Sequence, residues 1–127
     1  SREMCVLSRP KTNTPLQALA LMNDPTFVEA ARVLAENMMA ESSDSETQLR
    51  NAFQAILARA PSAFELQTLH QGFQKRLAYF KDEQHNAQSL ISVGSTAAQT
   101  TLNPSYLAAL STSMMNLFNL DETIHHE

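Results

Sequence analysis

The sequence predicts an all-α domain, a compact bundle of five to six amphipathic helices joined by short loops. Three observations carry that expectation. Apolar residues recur at spacings of three and four through most of the 127 residues, which is the period of one helix face. Helix-start grammar recurs as well. A capping side chain precedes proline at Thr14-Pro15, Asp24-Pro25 and Asn103-Pro104, and Ser62-Ala63-Phe64-Glu65 has the form of a capping box. Finally, there are only two glycines, and no stretch alternates apolar and polar residues as a half-buried strand would. A chain of this length fits one domain, residues 1–127, and can bury about two-thirds of its unfolded surface.

Ser1 to Lys11 mixes charges with Met4, Cys5, Val6 and Leu7 and reads as an extended lead-in or short edge segment. It opens abruptly, as a piece of a longer chain would. At Thr14 a short helix starts, with Pro15 at its first position and Gln17 placed to return a bond to the cap. Leu16, Leu19 and Met22 share its apolar face. Asn23-Asp24-Pro25 ends this helix and begins the next, so Arg9 to Arg32 forms a tight helix–turn–helix with Asn13, Gln17, Asn23 and Asp24 at its corners.

The second helix runs from Asp24 to about Glu41. Its stripe is Phe27, Ala30, Ala31, Leu34 and Met38, and Glu29, Arg32 and Glu36 lie largely on the other side. Arg32 and Glu36 have the spacing of an i,i+4 pair. After the polar turn ESSDSE, capped by Ser45 with Gln48 or by Ser43 with Glu46, a helix to about Arg59 carries Leu49, Ala52, Phe53, Ile56, Leu57 and Ala60. Ala60-Pro61-Ser62 breaks it. The capping box then opens a helix from Ala63 to about Asp82, with Leu66, Leu69, Phe73, Leu77 and Phe80 on one side. Gly72 in that helix suggests the close approach of another helix. A shorter helix from about Asn86 to Val93 buries Ala87, Leu90 and Ile91 and stops at Gly94. Ser95 to Leu102 is the candidate mobile loop. The last helix, from Asn103-Pro104, presents Leu107, Leu110, Met114, Leu117 and Phe118.

Composition excludes several function classes. Charged residues make up 17% of the chain and the net charge is −4. The basic residues are scattered, with only Lys75 and Arg76 adjacent, so no basic face for nucleic acid is expected. No apolar run approaches the ~18 residues of a membrane helix, so membrane insertion is not expected. Cys5 is alone, which leaves no internal disulfide and no cysteine pair for zinc or covalent haem. No glycine-rich phosphate loop, HExxH or nucleophile elbow occurs, and no catalytic residue is assigned. His125-His126-Glu127 is the one His/acid cluster, but adjacent histidines lack the i,i+3 or i,i+4 spacing of a ligand set. No metal site and no cofactor are therefore expected in this chain. The candidate binding or docking surface is the polar corner Arg9, Thr12, Asn13, Gln17, Asn23 and Asp24. Capping and turn formation account for the same residue types without a ligand.

The stretch CVLSRPKTNTPLQALALMNDPTFVEAAR resembles the C-terminal part of planctomycete-specific domain one, a family of unknown function. The resemblance rests on Cys5-Val6, Arg9, Thr12 to Leu19, Asn23-Asp24-Pro25, Phe27-Val28 and Glu29 to Arg32. LARAPSAFEL is similar to that family's helix–Pro–helix junction, and NLFNLDETIHHE looks like its terminal segment, with His125-His126 where the family usually has Thr-Arg. The resemblance implies a C-terminal piece of a large exported protein of the cell envelope, many of which carry a cytochrome c-type domain upstream. This chain has no CxxCH, so any haem would belong to those upstream domains. No catalytic residues come with the family.

Three functions follow as expectations. The first is a non-catalytic helical module that docks against upstream domains of its parent or another partner. The second is part of an envelope polysaccharide-processing enzyme or sugar-binding site completed by upstream residues. The third is an assembly module that dimerises through a stripe of Phe64, Phe73 and Phe80.

Overall fold

The computed structural model describes residues 24–99 and 101–125 (backbone only beyond residue 120), and these residues are all helix and loop. The elements are α1 (Pro25–Glu41), α2 (Ser45–Leu57), α3 (Ala63–Asp82), α4 (Gln84–Ile91) and α5 (Pro104–His125). The short helix expected at residues 14–22 lies outside the described residues.

Local chemistry sets most of the boundaries. Asp24 caps α1, accepting from Thr26 N and Phe27 N at 3.1 and 3.4 Å, and Pro25 occupies the first helical position. Ser62 and Glu65 complete the expected capping box, with Ser62 N donating to Glu65 Oε1 at 2.8 Å and Glu65 N to Ser62 Oγ at 3.1 Å. Asn103 caps α5 by accepting from Tyr106 N at 3.0 Å. The cap of α2 differs from expectation. Asp44 takes the role of Ser45 or Ser43 and accepts from Thr47 N and Thr47 Oγ1 at 2.9 and 2.8 Å, because a carboxylate can take both donors at once. The helix then ends at Leu57 with Ala58 in the left-handed region, φ 62°, before the proline is reached. α4 starts at Gln84, directly after the bend at Glu83 that closes α3.

α5 packs against all four other helices and is the shaft of the bundle. Leu107 to Ser111 are buried without a break, followed by Ser113, Met114, Met115 and Leu117. The single apolar stripe expected there is too narrow. A helix covered on all sides must be apolar or internally satisfied all round. Three of its hydroxyls meet that need: Thr112 and Ser113 donate to the Ala108 and Ala109 carbonyls at 2.8 and 3.1 Å, and Ser105 donates to Phe80 O at 3.0 Å, whereas the Ser111 hydroxyl is buried with no partner among the described residues. Around this shaft lie Val28, Ala31 and Ala35 of α1, Leu49, Ala52 and Phe53 of α2, Leu66, Phe73 and Phe80 of α3, and Ala87, Leu90 and Ile91 of α4. Phe73 meets Tyr106 edge-on at 5.1 Å, and Phe27 meets Phe118 at 5.5 Å.

The polar side expected for α1 is corrected most. Ala30 is exposed, whereas Arg32 and Glu36 are buried. Their pair is present, with Arg32 Nη1 donating to Glu36 Oε2 at 2.8 Å, but it faces the loop after α4 rather than water. Arg32 also donates to the Thr96 carbonyl. Glu36 accepts from Gln99 N at 3.2 Å, and Glu29 accepts from Ser95 N and Thr96 N at 3.3 and 2.7 Å. The loop expected to be mobile is therefore clasped onto α1 by three charged side chains. Those hydrogen bonds hold the Glu29 carboxyl below the usual carboxylate range, with contacts to Thr96 as the largest cause. Gly94, φ 103°, sits against Glu29 at the start of the clasp, and Ser92 is the C-cap of α4.

Candidate docking surface

Of the polar corner, only Asp24 falls among the described residues. It is exposed, and its carboxylate is used as the α1 cap. Arg9, Thr12, Asn13, Gln17 and Asn23 lie outside them, as do Cys5 and the side chains of His125 and His126. Among the described residues no group of three or more His, Cys, Asp or Glu side chains converges for a metal, and no helix is long and apolar enough to cross a membrane.

The described surface carries a second candidate, which sequence reading missed. α2 and α3, joined by the turn Pro61–Ala63, are the walls of an open groove of about 590 Å³. Its walls are Glu46 and Arg50 of α2 and Gln67, His70, Gln71 and Gln74 of α3. Gln67, Gln71 and Gln74 stand at i, i+4 and i+7, which puts three amides in a row along one helix face. Arg50 and Glu46 pair loosely across one turn at 3.8 Å, both well exposed.

His70 is the hinge between groove and core. Its Nε2 shares a hydrogen bond of 2.9 Å with Ser45 Oγ, and its ring stacks on Phe73 at 6.3 Å. Behind it, Tyr106 Oη donates to Gln48 Oε1, and Gln48 Nε2 donates to Ser42 O at 2.6 Å. Burial pushes the Tyr106 hydroxyl above its ordinary value, while the Thr47 hydroxyl and N–H hold the Asp44 carboxyl below its own. These groups satisfy one another, and no buried unpaired side chain is aimed into the groove from its walls.

Phe64 follows Ala63, which lines the groove, comes one turn before Gln67, and is 75% exposed without being one of the lining residues. Phe73 and Phe80 are buried at 2% and 8%. The three phenylalanines expected to form a dimerising stripe therefore do not share a surface. Residues 64 and 73 are nine apart, which on a 3.6-residue period turns them to opposite sides of α3. Next to Phe64, Arg59 makes a two-pronged pair with Glu65, both bonds 2.9 Å, and lies over the Phe53 ring at 4.9 Å.

The family model for PSD1, protein of unknown function (DUF1553), matches residues 1–73, more than half of the chain. The chain belongs to the PSD1 family. The matched part includes the whole polar corner from Arg9 to Asp24, α1, α2, the Pro61 turn and α3 as far as Phe73. Both candidate surfaces thus lie mainly within the PSD1 match, whereas α4 and α5 follow it. Comparison with curated proteins and with solved structures finds no match.

Proposed function

We propose that this PSD1 chain is a non-catalytic helical docking module, closing a larger exported protein and binding polypeptide surfaces, first of all its parent's upstream domains. Any haem of that protein belongs to those upstream domains. The observation that carries the reading is Phe64. It is an aromatic side chain three-quarters exposed, and it follows directly in the chain on Ala63, which lines an open, polar, mixed-charge groove. An isolated aromatic anchor beside a rim of amides and charges is the anatomy of a protein-binding patch. Covering Phe64 would contribute roughly 2 kcal/mol, or about thirtyfold in affinity. The groove is open and internally satisfied, which suits a partner's surface better than a small molecule enclosed on most sides.

The test mixes this chain with the purified upstream part of the parent in an isothermal titration. Saturable binding is expected, weakened about tenfold or more by Phe64→Ala. No binding, or an unchanged affinity for Phe64→Ala, would overturn the reading. Saturation by envelope polysaccharide fragments instead of polypeptide would assign the surface to sugar binding.

A further inference from the structure

Four arginines are described, and three of them face carboxylates. Arg32 pairs with Glu36, Arg50 with Glu46 and Arg59 with Glu65. Arg76, on the side of α3 toward α5, has no carboxylate partner among the described residues. Its Nη2 donates to Ser113 Oγ at 2.8 Å, and its Nε is buried without a hydrogen-bond partner. Burial alone lowers its guanidinium well below the ordinary arginine range, to about 10. Gly72, one turn earlier, leaves the guanidinium its room, since a Cβ there would stand 3.2 Å from Nη2 and 3.3 Å from Nη1. Ser113 is committed in turn, donating to Ala109 O at 3.1 Å, so it holds the guanidinium plane in place.

A largely covered cation with no counter-charge among the described residues weakens the fold, and an apolar chain of similar length would remove that cost. We propose that Arg76, held by Ser113 and given space by Gly72, receives a single carboxylate from an acidic segment of a docking partner. One guanidinium edge matches one carboxylate in a two-bond fork. A phosphate would call for further cations. Lys75 is exposed and turned about 100° around the helix, so it does not supply one. The origin of the carboxylate rests on the docking reading, whereas the receptor itself does not.

The full 127-residue chain is titrated with sodium acetate, against sodium chloride at equal ionic strength, and with a blocked tripeptide centred on aspartate. The amides of Gly72, Arg76 and Ser113 and the Arg76 Nε–H are followed by nitrogen-15 NMR. Saturable shifts are expected with both carboxylate probes and not with chloride, and they should vanish in Arg76→Met. That variant should also melt about 2–6 °C higher, because it sheds an unpaired charge. A Tm below wild type would make Arg76 a structural residue and overturn the proposal, as would shifts that grow linearly and spread over every exposed cation. A second variant neutralises Glu3, Asp121, Glu122 and Glu127 together. If acetate acts only in that background, the chain's own carboxylate occupies the site and the partner is excluded. Saturation by acetate alongside no binding to the upstream domains would sink the docking reading and leave the receptor standing.

Discussion

Gly94→Ala probes how the loop after α4 is held to α1. The backbone at Gly94 has φ 103°, and a Cβ placed there would lie 2.6 Å from Glu29 Oε1, 2.7 Å from its Cδ and 2.8 Å from its Cβ. Rotating the carboxylate relieves the first two contacts. The third is with an atom fixed to the α1 backbone, so the loop itself has to move. Strain of a non-glycine residue in this region costs about 1–3 kcal/mol, and overpacking against a fixed atom about 1–3 more. The expected loss is therefore about 2–6 kcal/mol, read as a lower urea midpoint at unchanged slope. In a Glu29→Ala background, which keeps Cβ but removes the carboxylate, only part of the loss should disappear. Gly94→Ala within about 0.5 kcal/mol of wild type, the usual range for surface changes, would refute the close packing of loop on helix. Complete rescue by Glu29→Ala would place the conflict in the carboxylate alone.

Ala58→Gly should act in the opposite sense. Ala58 already holds a left-handed conformation at the α2 C-cap, so glycine should raise stability by about 0.5–1 kcal/mol in urea unfolding. Glu36→Ala removes the nearer carboxylate of buried Arg32 and leaves only Glu29 at 3.8 Å, so it should cost up to about 3–5 kcal/mol, whereas the double change Arg32→Met with Glu36→Leu should lie much nearer wild type. Glu65 is held at about 2 against an ordinary 4.5, chiefly by Arg59 and then by Ser62 N–H. Its folded value is depressed, so its contribution is complete above about pH 4.5 and is lost as pH falls from there toward 2. Glu65→Gln should therefore weaken the chain at pH 7 and make little difference at pH 2, measured by urea midpoints at both. Phe73→Ala should cost about 3–5 kcal/mol and Phe64→Ala less than about 0.5. Equal losses would contradict the opposite placement of these two rings.

Much of the fold was legible because its signals are local. The caps at Asp24, Ser62 and Asn103 are set by donors two or three residues away, so the residues in sequence order are the residues in contact. The stripes Leu66–Phe73–Phe80 and Ala87–Leu90–Ile91 likewise fall on the buried side. Arg32 and Glu36 were misplaced because their spacing shows only that they can meet. The backbone groups that make their burial tolerable belong to residues 96 and 99, more than sixty positions away. The groove was missed for a related reason. Gln67, Gln71 and Gln74 read as an ordinary wet face of a helix until α2 supplies the opposite wall.

The sequence by itself determined where helices begin, which residues each wants covered, and the motif that marks the family, since each follows from contacts within a turn or two of the chain. Tertiary structure alone decided that the last helix is the shaft, that an ion pair faces inward, and that Arg76 meets Ser113 rather than a carboxylate among the described residues. Those outcomes depend on which surfaces meet, and burial and charge compensation are properties of the meeting rather than of either surface.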